Sequence, residues 1–584
     1  MRSLGLPLAI IVFLVVPLLA ASNPLPTVNQ PLLPSSVQPG SGGFTLKVNG
    51  SAFVAGAVVN WNGVPLATTL VSPRQLSAVV TANRVRWQGT VNVTVTNPGP
   101  GGGVSNTVFF TITAPSSSVT FASSVLPVGV DPESLVAADF NGDGKTDLAV
   151  FNLLQPDSAC YVNYNGVGTV QTLLGDGHGG FSSGAQACLP DEIATTGIPN
   201  LVAGDFNDDG KLDLGAAFRS RFGFGIQFLT NDGTGTFARG TELGEFDGME
   251  QLLIGDFNGD GQLDLVVHDD FVGASKSNHP SAFFGIEEFD GDGTGGFNFV
   301  SDFGFLSAST LASGDFNGDG ILDLAVGGTT GQGLILLGIP GGSFVQASTQ
   351  PPVTLQAPIV GDFNGDGILD IADGGGSCSF TMLLGKGDGT FTVKSMAPRS
   401  VAGSNSTSVA DLNGDGKLDV ALVTGGEVLV CLGNGDGTFR VGSETTVGNA
   451  PTQLTIGDFN KDGRLDVAVT NSEDNTVSVL MQSAAVTLSS NNLDFGTVAV
   501  GHTSLPQHVT LTNSGSAVFR LSGIHTSGDF SQTNTCKAIL RIGQTCNLNV
   551  VFKPTELGLR TGTVTITDNA TDSPQQIELS GTGH

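Results

Sequence analysis

One nine-residue pattern returns seven times in the middle of the chain and constrains nearly everything around it. It begins as DFNGDGKTD at Asp139 and recurs as DFNDDGKLD at Asp205, DFNGDGQLD at Asp256, DFNGDGILD at Asp315 and Asp362, DLNGDGKLD at Asp411 and DFNKDGRLD at Asp458. Self-similarity at about fifty residues marks a repeat architecture, in which each unit buries its apolar face against the next. An apolar run precedes each copy (201–203, 252–254) and another follows it (264–267, 466–469). A third leads to a glycine turn, as in MLLGKGDGTF (382–391) and VCLGNGDGTF (430–439), and the Phe after that turn opens a fourth. No window after residue 22 keeps the three-and-four spacing of a helix. Four short strands per unit predict one propeller blade.

The ends of the array predict how it closes. Repeats one to six carry a turn followed by Phe181, Phe237, Phe297, Phe344, Phe391 and Phe439, but repeat seven stops after VSVLMQ (477–482). The missing strand stands upstream of repeat one, as VTFASSV (119–125). A ring whose first strand completes its last blade has this signature, and it leaves no exposed sheet edge. An open solenoid would need capping repeats.

Positions 1, 3, 5 and 9 of every copy are Asp, Asn, Asp and Asp, with glycine at position 6. Alternate oxygens around a sharp glycine turn suit a hard cation with six or more oxygen ligands, and no nitrogen or sulfur ligand is offered to zinc or copper. The predicted side-chain ligands are Asp139, Asn141, Asp143 and Asp147 in loop one, and Asp205, Asn207, Asp209 and Asp213 in loop two. Asp256, Asn258, Asp260 and Asp264 serve loop three; Asp315, Asn317, Asp319 and Asp323 serve loop four. Loop five has Asp362, Asn364, Asp366 and Asp370; loop six has Asp411, Asn413, Asp415 and Asp419; loop seven has Asp458, Asn460, Asp462 and Asp466. The position-7 backbone carbonyls, of Lys145, Lys211, Gln262, Ile321, Ile368, Lys417 and Arg464, are the expected fifth ligands. The Glu that an EF-hand needs at position 12 is missing, so the reading is calcium, up to seven ions, on β-hairpin loops. Positions 1, 5 and 9 hold 21 of the chain's 53 acidic residues, against 23 basic ones. Three carboxylates crowded in one loop repel by roughly 1 kcal/mol per pair even at water's dielectric.

These loops, with their glycine turn and Phe, resemble FG-GAP (VCBS-type) repeats, the units of integrin α-chain propellers and of many bacterial secreted proteins. The resemblance implies a structural cation in a loop between a blade's first and second strands. It does not carry over an integrin partner subunit or membrane span. Upstream, VNGSAF, VVNWNG and GGGVSNTVFF resemble an IPT/TIG immunoglobulin-like domain; downstream, LDFGTVAVG, QHVTLTNSG and CNLNVVFKP resemble the abnormal-spindle/hydin type. The expected fold is all-β: a signal peptide over 1–22, an IPT/TIG-like sandwich over 23–115, a seven-bladed propeller over 116–484 and an Ig-like sandwich over 485–584. Trp61 and Trp87 read as core or edge packing rather than ligand platforms.

Residues 1–22 place Arg2 before an apolar stretch and end in small residues, the pattern of a cleaved secretory signal. An exported chain tolerates disulfides. Of its six cysteines, Cys536 and Cys546 are expected to pair, as are Cys160 and Cys188; the state of Cys378 and Cys431 stays open, buried thiols being one reading among the fifteen connectivities that six cysteines allow. A net charge of −30 excludes electrostatic capture of nucleic acid.

Alternating strand direction puts the metal loops and glycine turns on one face of the ring. The long second-to-third-strand connections, at 152–168 and 268–283 with 218–224 between them, belong to the other. That far face gathers Tyr161, Tyr164, Arg219, Arg221, His268, Asp269, Asp270, Lys276 and His279, and long loops concentrated in one place often carry function. GFSSG (180–184) matches a nucleophile motif only formally, since no strand-to-helix elbow follows. The leading expectation is an extracellular, calcium-stabilised binding or adhesion module for a protein or polysaccharide; a polysaccharide lyase or hydrolase and a passive spacer are the alternatives.

Overall fold

The computed structural model describes residues 22–584 except 117, 156–166, 190–199, 221–222, 247–248, 250, 270–284, 305–307, 329–332, 375, 397–405, 483–485, 516–518, 542, 569 and 571–572. Seven antiparallel four-stranded sheets form the central ring. In six of them the strands follow chain order; the seventh is completed by Phe121–Pro127, which pairs in seven-residue register with the last repeat strand, from Phe121↔Gln482 to Pro127↔Thr476. The ring closes through its own N-terminal strand.

The middle strands of each blade are nearly continuous apolar runs because both their faces are covered by neighbouring blades. In blade six, DVALVT (Asp419–Thr424) and EVLVCLG (Glu427–Gly433) are buried almost throughout, while the outer strand Phe439–Thr446 is largely solvated. Each apolar cluster is therefore shared between adjacent blades. Val423, Val428 and Val430 of blade six pack with Leu454, Val467 and Val469 of blade seven, and Val477 and Val479 of blade seven pack with Leu135, Leu148 and Val150 of blade one.

Repetition also explains why 36 Phe stand beside only 2 Tyr and 2 Trp. The Phe at loop position 2 meets, edge to face, the Phe after the glycine turn of the next blade. The pairs are Phe140–Phe237, Phe206–Phe297, Phe257–Phe344, Phe316–Phe391, Phe363–Phe439 and, across the closure, Phe459–Phe181, with centroids 5.5–5.9 Å apart. Blade seven lacks the turn Phe, and position 2 of loop six is Leu412; there Gln482 Nε2 donates to the Leu412 carbonyl instead, at 2.7 Å. Phe316→Leu keeps most of the apolar volume and loses the ring contact. The expected cost is about 1–2 kcal/mol, read as a shift in urea midpoint with unchanged m-value.

The two flanking units are β-sandwiches. In the N-terminal one, Val91, Val93 and Val95 alternate inward from Gly89–Asn97 against Leu46, Val48, Trp61 and Phe110 of the same core. The C-terminal one pairs a four-stranded with a five-stranded sheet around Val509, Leu548, Phe552, Ile566 and Ile577. Trp61 is buried, but Trp87 is 73 % exposed, with the Arg86 guanidinium 5.0 Å from its ring centroid, which corrects the packing role expected of it.

Cys536 and Cys546 form a disulfide. Cys378 and Cys431 are bonded too, a pairing that the sequence left open. The first sits in the turn Gly376–Cys378 of blade five and the second on Glu427–Gly433 of blade six, so blade stacking brings together cysteines that no local spacing links. Cys188 is disulfide-bonded; Cys160 lies outside the described residues. No helix among the described residues is long and apolar enough to cross a membrane.

Candidate metal loops and the face they occupy

Each repeat loop winds around its first carboxylate. Asp139 accepts the N–H groups of Asp143 and Gly144, at 3.1 and 2.8 Å. Asp205, Asp362, Asp411 and Asp458 do the same with the N–H groups at positions 5 and 6 of their loops. The position-4 N–H goes to the first carboxylate in loops three, four and five, at Asp256, Asp315 and Asp362, and Asp315 takes it together with the position-6 N–H. Asn141 accepts the Asp143 N–H and Asp143 accepts that of Lys145, a step repeated at Asn207 and Asp209, Asn258 and Asp260, and Asn317 and Asp319. It recurs at Asn364 and Asp366, Asn413 and Asp415, and Asn460 and Asp462. The glycines at position 6 hold φ between 76° and 98°, for which a Cβ would be strained.

The position-9 aspartate does something spacing alone did not reveal. It ties its loop to the end of the blade's third strand. Asp147 Oδ2 accepts from Phe140 N and Oδ1 from Gly175 N. Asp264, Asp323, Asp370, Asp419 and Asp466 repeat the pair, the last with Gln482 N. Burial pushes these carboxyls up: Asp147 and Asp213 to about 6, Asp323 and Asp370 to about 7, Asp264 to about 8. Asp213 Oδ1 binds Asn231 N, but its buried Oδ2 has no hydrogen-bond partner.

The donor set is all oxygen, three carboxylates and an amide per loop plus the position-7 carbonyl, and it fits a hard divalent cation. The orphaned Asp213 Oδ2 is an acceptor of the kind a cation satisfies. The carboxylates are turned toward loop amides, and among the described residues no three acidic, His or Cys side chains already converge as a metal group. Each hydrogen-bonded carboxylate oxygen keeps a further lone pair for an ion. At position 7 the side chains differ from one another. Lys145 and Lys211 bridge to the position-5 carboxylates of their own loops, at 2.8 and 3.3 Å, and Ile321 is buried.

The N-terminal sandwich sits on this face. Leu25 N donates to Asp256 Oδ2 in loop three, at 2.6 Å. Arg74 reaches into loop four, Nη2 to the Asn317 carbonyl at 2.6 Å and Nε to that of Gly318 at 2.7 Å. Asp362 N donates to the Gln30 carbonyl. Ser35 Oγ donates to Asp411 Oδ2 and Ser36 Oγ to the Gly414 carbonyl, both at 2.8 Å. At loop seven, Arg464 is 1 % exposed; it donates to the Asn413 carbonyl and to that of Ala114 in the segment joining sandwich to ring. The backbones approach closely: a Cβ on Gly261 would stand 2.4 Å from the Asn23 carbonyl oxygen, and one on Gly463 2.6 Å from Gly89 N. Position-6 glycine thus serves docking as well as the turn. In loops one and two, by contrast, Asp143, Gly144, Asp209 and Gly210 are exposed.

Tyr161, Tyr164, Arg221, Asp270, Lys276 and His279 lie outside the described residues. Arg219 and Asp269 lie on the strands Asp213–Ser220 and Asp264–Asp269. His268 is on the second of these strands but 0 % exposed, so it belongs to the interior of blade three rather than to a ligand surface. Glu133, near the far-face end of Val130–Ala138, was not singled out by any motif. Burial, with Asp131 beside it, raises its carboxyl to about 7.

Residues 132–172 match the FG-GAP repeat family, and 315–372, 362–422 and 411–469 match FG-GAP-like repeats. The ring is an FG-GAP propeller. Residues 32–112 match the IPT/TIG domain and 483–584 match Cep192 domain 4, so the FG-GAP ring stands between two immunoglobulin-like modules. No curated protein sequence matches the chain. Among solved structures it is similar to an Agrocybe aegerita lectin recognising non-reducing terminal N-acetylglucosamine (17 % identity, 71 % of this chain and 100 % of that one, TM-score 0.36). An auxiliary nutrient binding protein from Bacteroides ovatus gives 12 % identity, 78 % and 98 % coverage and a TM-score of 0.34. A Bacillus licheniformis rhamnogalacturonan lyase gives 11 %, 79 % and 91 %, and 0.37.

Proposed function

We propose that this protein is an extracellular binding module whose FG-GAP loops take calcium and whose ligand, a polysaccharide or a protein, is held on the face of the ring opposite those loops. The observation that carries the reading is the docked TIG module. It covers the loop face over loops three to seven, and the far face is where the strands flanking the two longest second-to-third-strand connections end, at Gln155 and Val167 in blade one and at Asp269 and Gly285 in blade three. Calcium would be held by the position 1, 3, 5 and 9 side chains and the position-7 carbonyl. Its charge would offset the carboxylates that burial otherwise drives toward protonation. The disulfides favour an oxidising, extracellular compartment.

The test is a glycan and protein array probed with the full chain and with variants in which 156–166 or 270–284 is replaced by a short Gly-Ser turn. These cuts leave His268 and Asp269 in their strand. A hit is expected that either replacement weakens at least tenfold; a hit that survives both places the ligand elsewhere.

The raised carboxyl of Glu133 favours a second reading, a polysaccharide-cleaving enzyme using it as an acid or base. Turnover of an array hit that Glu133→Gln abolishes would select that reading; turnover unaffected by the substitution would remove Glu133 from it.

A further inference from the structure

We propose that the seam between blades three and four holds an additional hard-cation site, built by Glu288 and Asp290 on the strand beside loop three. The two acids stand two residues apart on Gly285–Gly291, the third strand of blade three, and so project to the same side. Counted back from the strand's final residue, the position of Glu288 is Thr172, Phe228, Ile335, Met382, Val430 or Val479 in the other blades, an apolar place in five of the six. A buried acid where the repeat otherwise calls for packing is a local rule broken, and such breaks concentrate at functional sites.

Glu288 is 0 % exposed. Its Oε2 accepts from Ser301 Oγ at 3.2 Å, but its Oε1 is buried without a hydrogen-bond partner, and so is Asp290 Oδ1. Both orphan oxygens border one space. A Cβ placed on Gly342, in the turn of blade four, would stand 3.3 Å from Asp290 Oδ1 and 3.4 Å from Glu288 Oε1. Gly342 has φ 83°, where a side chain is disfavoured, so the backbone itself keeps that space open. The charges acting on the pair are carboxylates, Asp290 upon Glu288 and Asp260 upon Asp290; the Ser343 backbone N–H bonds the Glu288 carboxyl, and the Asn258 side chain of loop three bonds Asp290. Two ionised carboxylates cannot satisfy each other. An oxygen-only site of this kind selects a hard divalent cation such as calcium over a softer metal.

The full chain, stripped with chelator and dialysed to equilibrium against calcium, tests this by counting bound ions by atomic emission. Glu288→Gln and Asp290→Asn are each expected to bind one ion fewer than wild type, with unchanged near-ultraviolet circular dichroism. Asp205→Ala, in exposed loop two, reports separately on the repeat loops. Unchanged stoichiometry in the seam variants overturns the seam site and points to a shared proton between the two acids. Loss of an ion in the seam variants but not in Asp205→Ala would instead retain the seam site and count against the loops. Should Glu288→Gln fail to fold, Asp290→Asn, whose side chain is only partly buried, decides alone.

Discussion

Chelating divalent cations at pH 7.5 is expected to lower the melting temperature by roughly 10–20 °C, with full recovery on adding calcium. A site occupied at a hundred times its dissociation constant adds about 2.7 kcal/mol, and several such sites act on one cooperative ring. The pH dependence should then reverse between the two forms. Without the ion, burial holds Asp147 and Asp213 at about 6, Asp323 and Asp370 at about 7 and Asp264 at about 8, all above an unfolded value of about 3.9. A carboxyl raised on folding takes up a proton, so its stabilising contribution is complete below the unfolded pKa and is lost as pH climbs through the folded one. The chelated protein should therefore melt higher at pH 5 than at pH 8. The calcium-loaded protein should do the opposite, because its ligands bind the ion in their deprotonated form. Melting curves that run parallel with and without chelator would overturn the cation reading of the loops.

Arg464→Met is expected to cost about 3–5 kcal/mol and to loosen the TIG module from the ring. Removing one partner from a buried charge group leaves the others uncompensated. Here Asp462 and Asp411 act on a guanidinium that burial lowers to about 10, still charged at neutral pH. The same side chain joins loop seven to the Asn413 carbonyl of loop six and to Ala114. Denaturant melts measure the first effect. Limited proteolysis measures the second, through earlier cleavage near residue 115. Arg464→Lys should recover little, since an ammonium on a shorter reach cannot make the forked contacts. A variant as stable and protease-resistant as wild type would mean that the docking seen at loops three to six suffices without this residue.

What the bare sequence made legible is what repetition and local spacing encode. Seven copies with the same residue types at the same positions announce the blades, and a missing last strand with a spare first one announces how the ring closes. The Phe surplus pointed to the repeat, but the partner of each ring lies in the next blade, which only packing reveals. Cys378 and Cys431 escaped for the same reason: their pairing depends on blade five stacking on blade six. The docking of the TIG module left no periodic trace. It rests on backbone carbonyls, two serines, Arg74 and Arg464, single contacts whose meaning appears only when two domains are placed together. Glu288 escaped because one acid in a long chain carries no pattern, and its oddity shows only against the register of the other six blades.

The strand Phe121–Pro127 has one further consequence. Its hydrogen-bonding partner, Thr476–Gln482, is the last propeller strand to be synthesised. Until that stretch arrives the toroid cannot be locked, and both halves of the latch offer unpaired amide edges to any neighbouring chain. Polypeptides stopped short of residue 476 should therefore accumulate as adhesive, open rings, and the completed ring is expected to unzip first at this same junction under a steady pull.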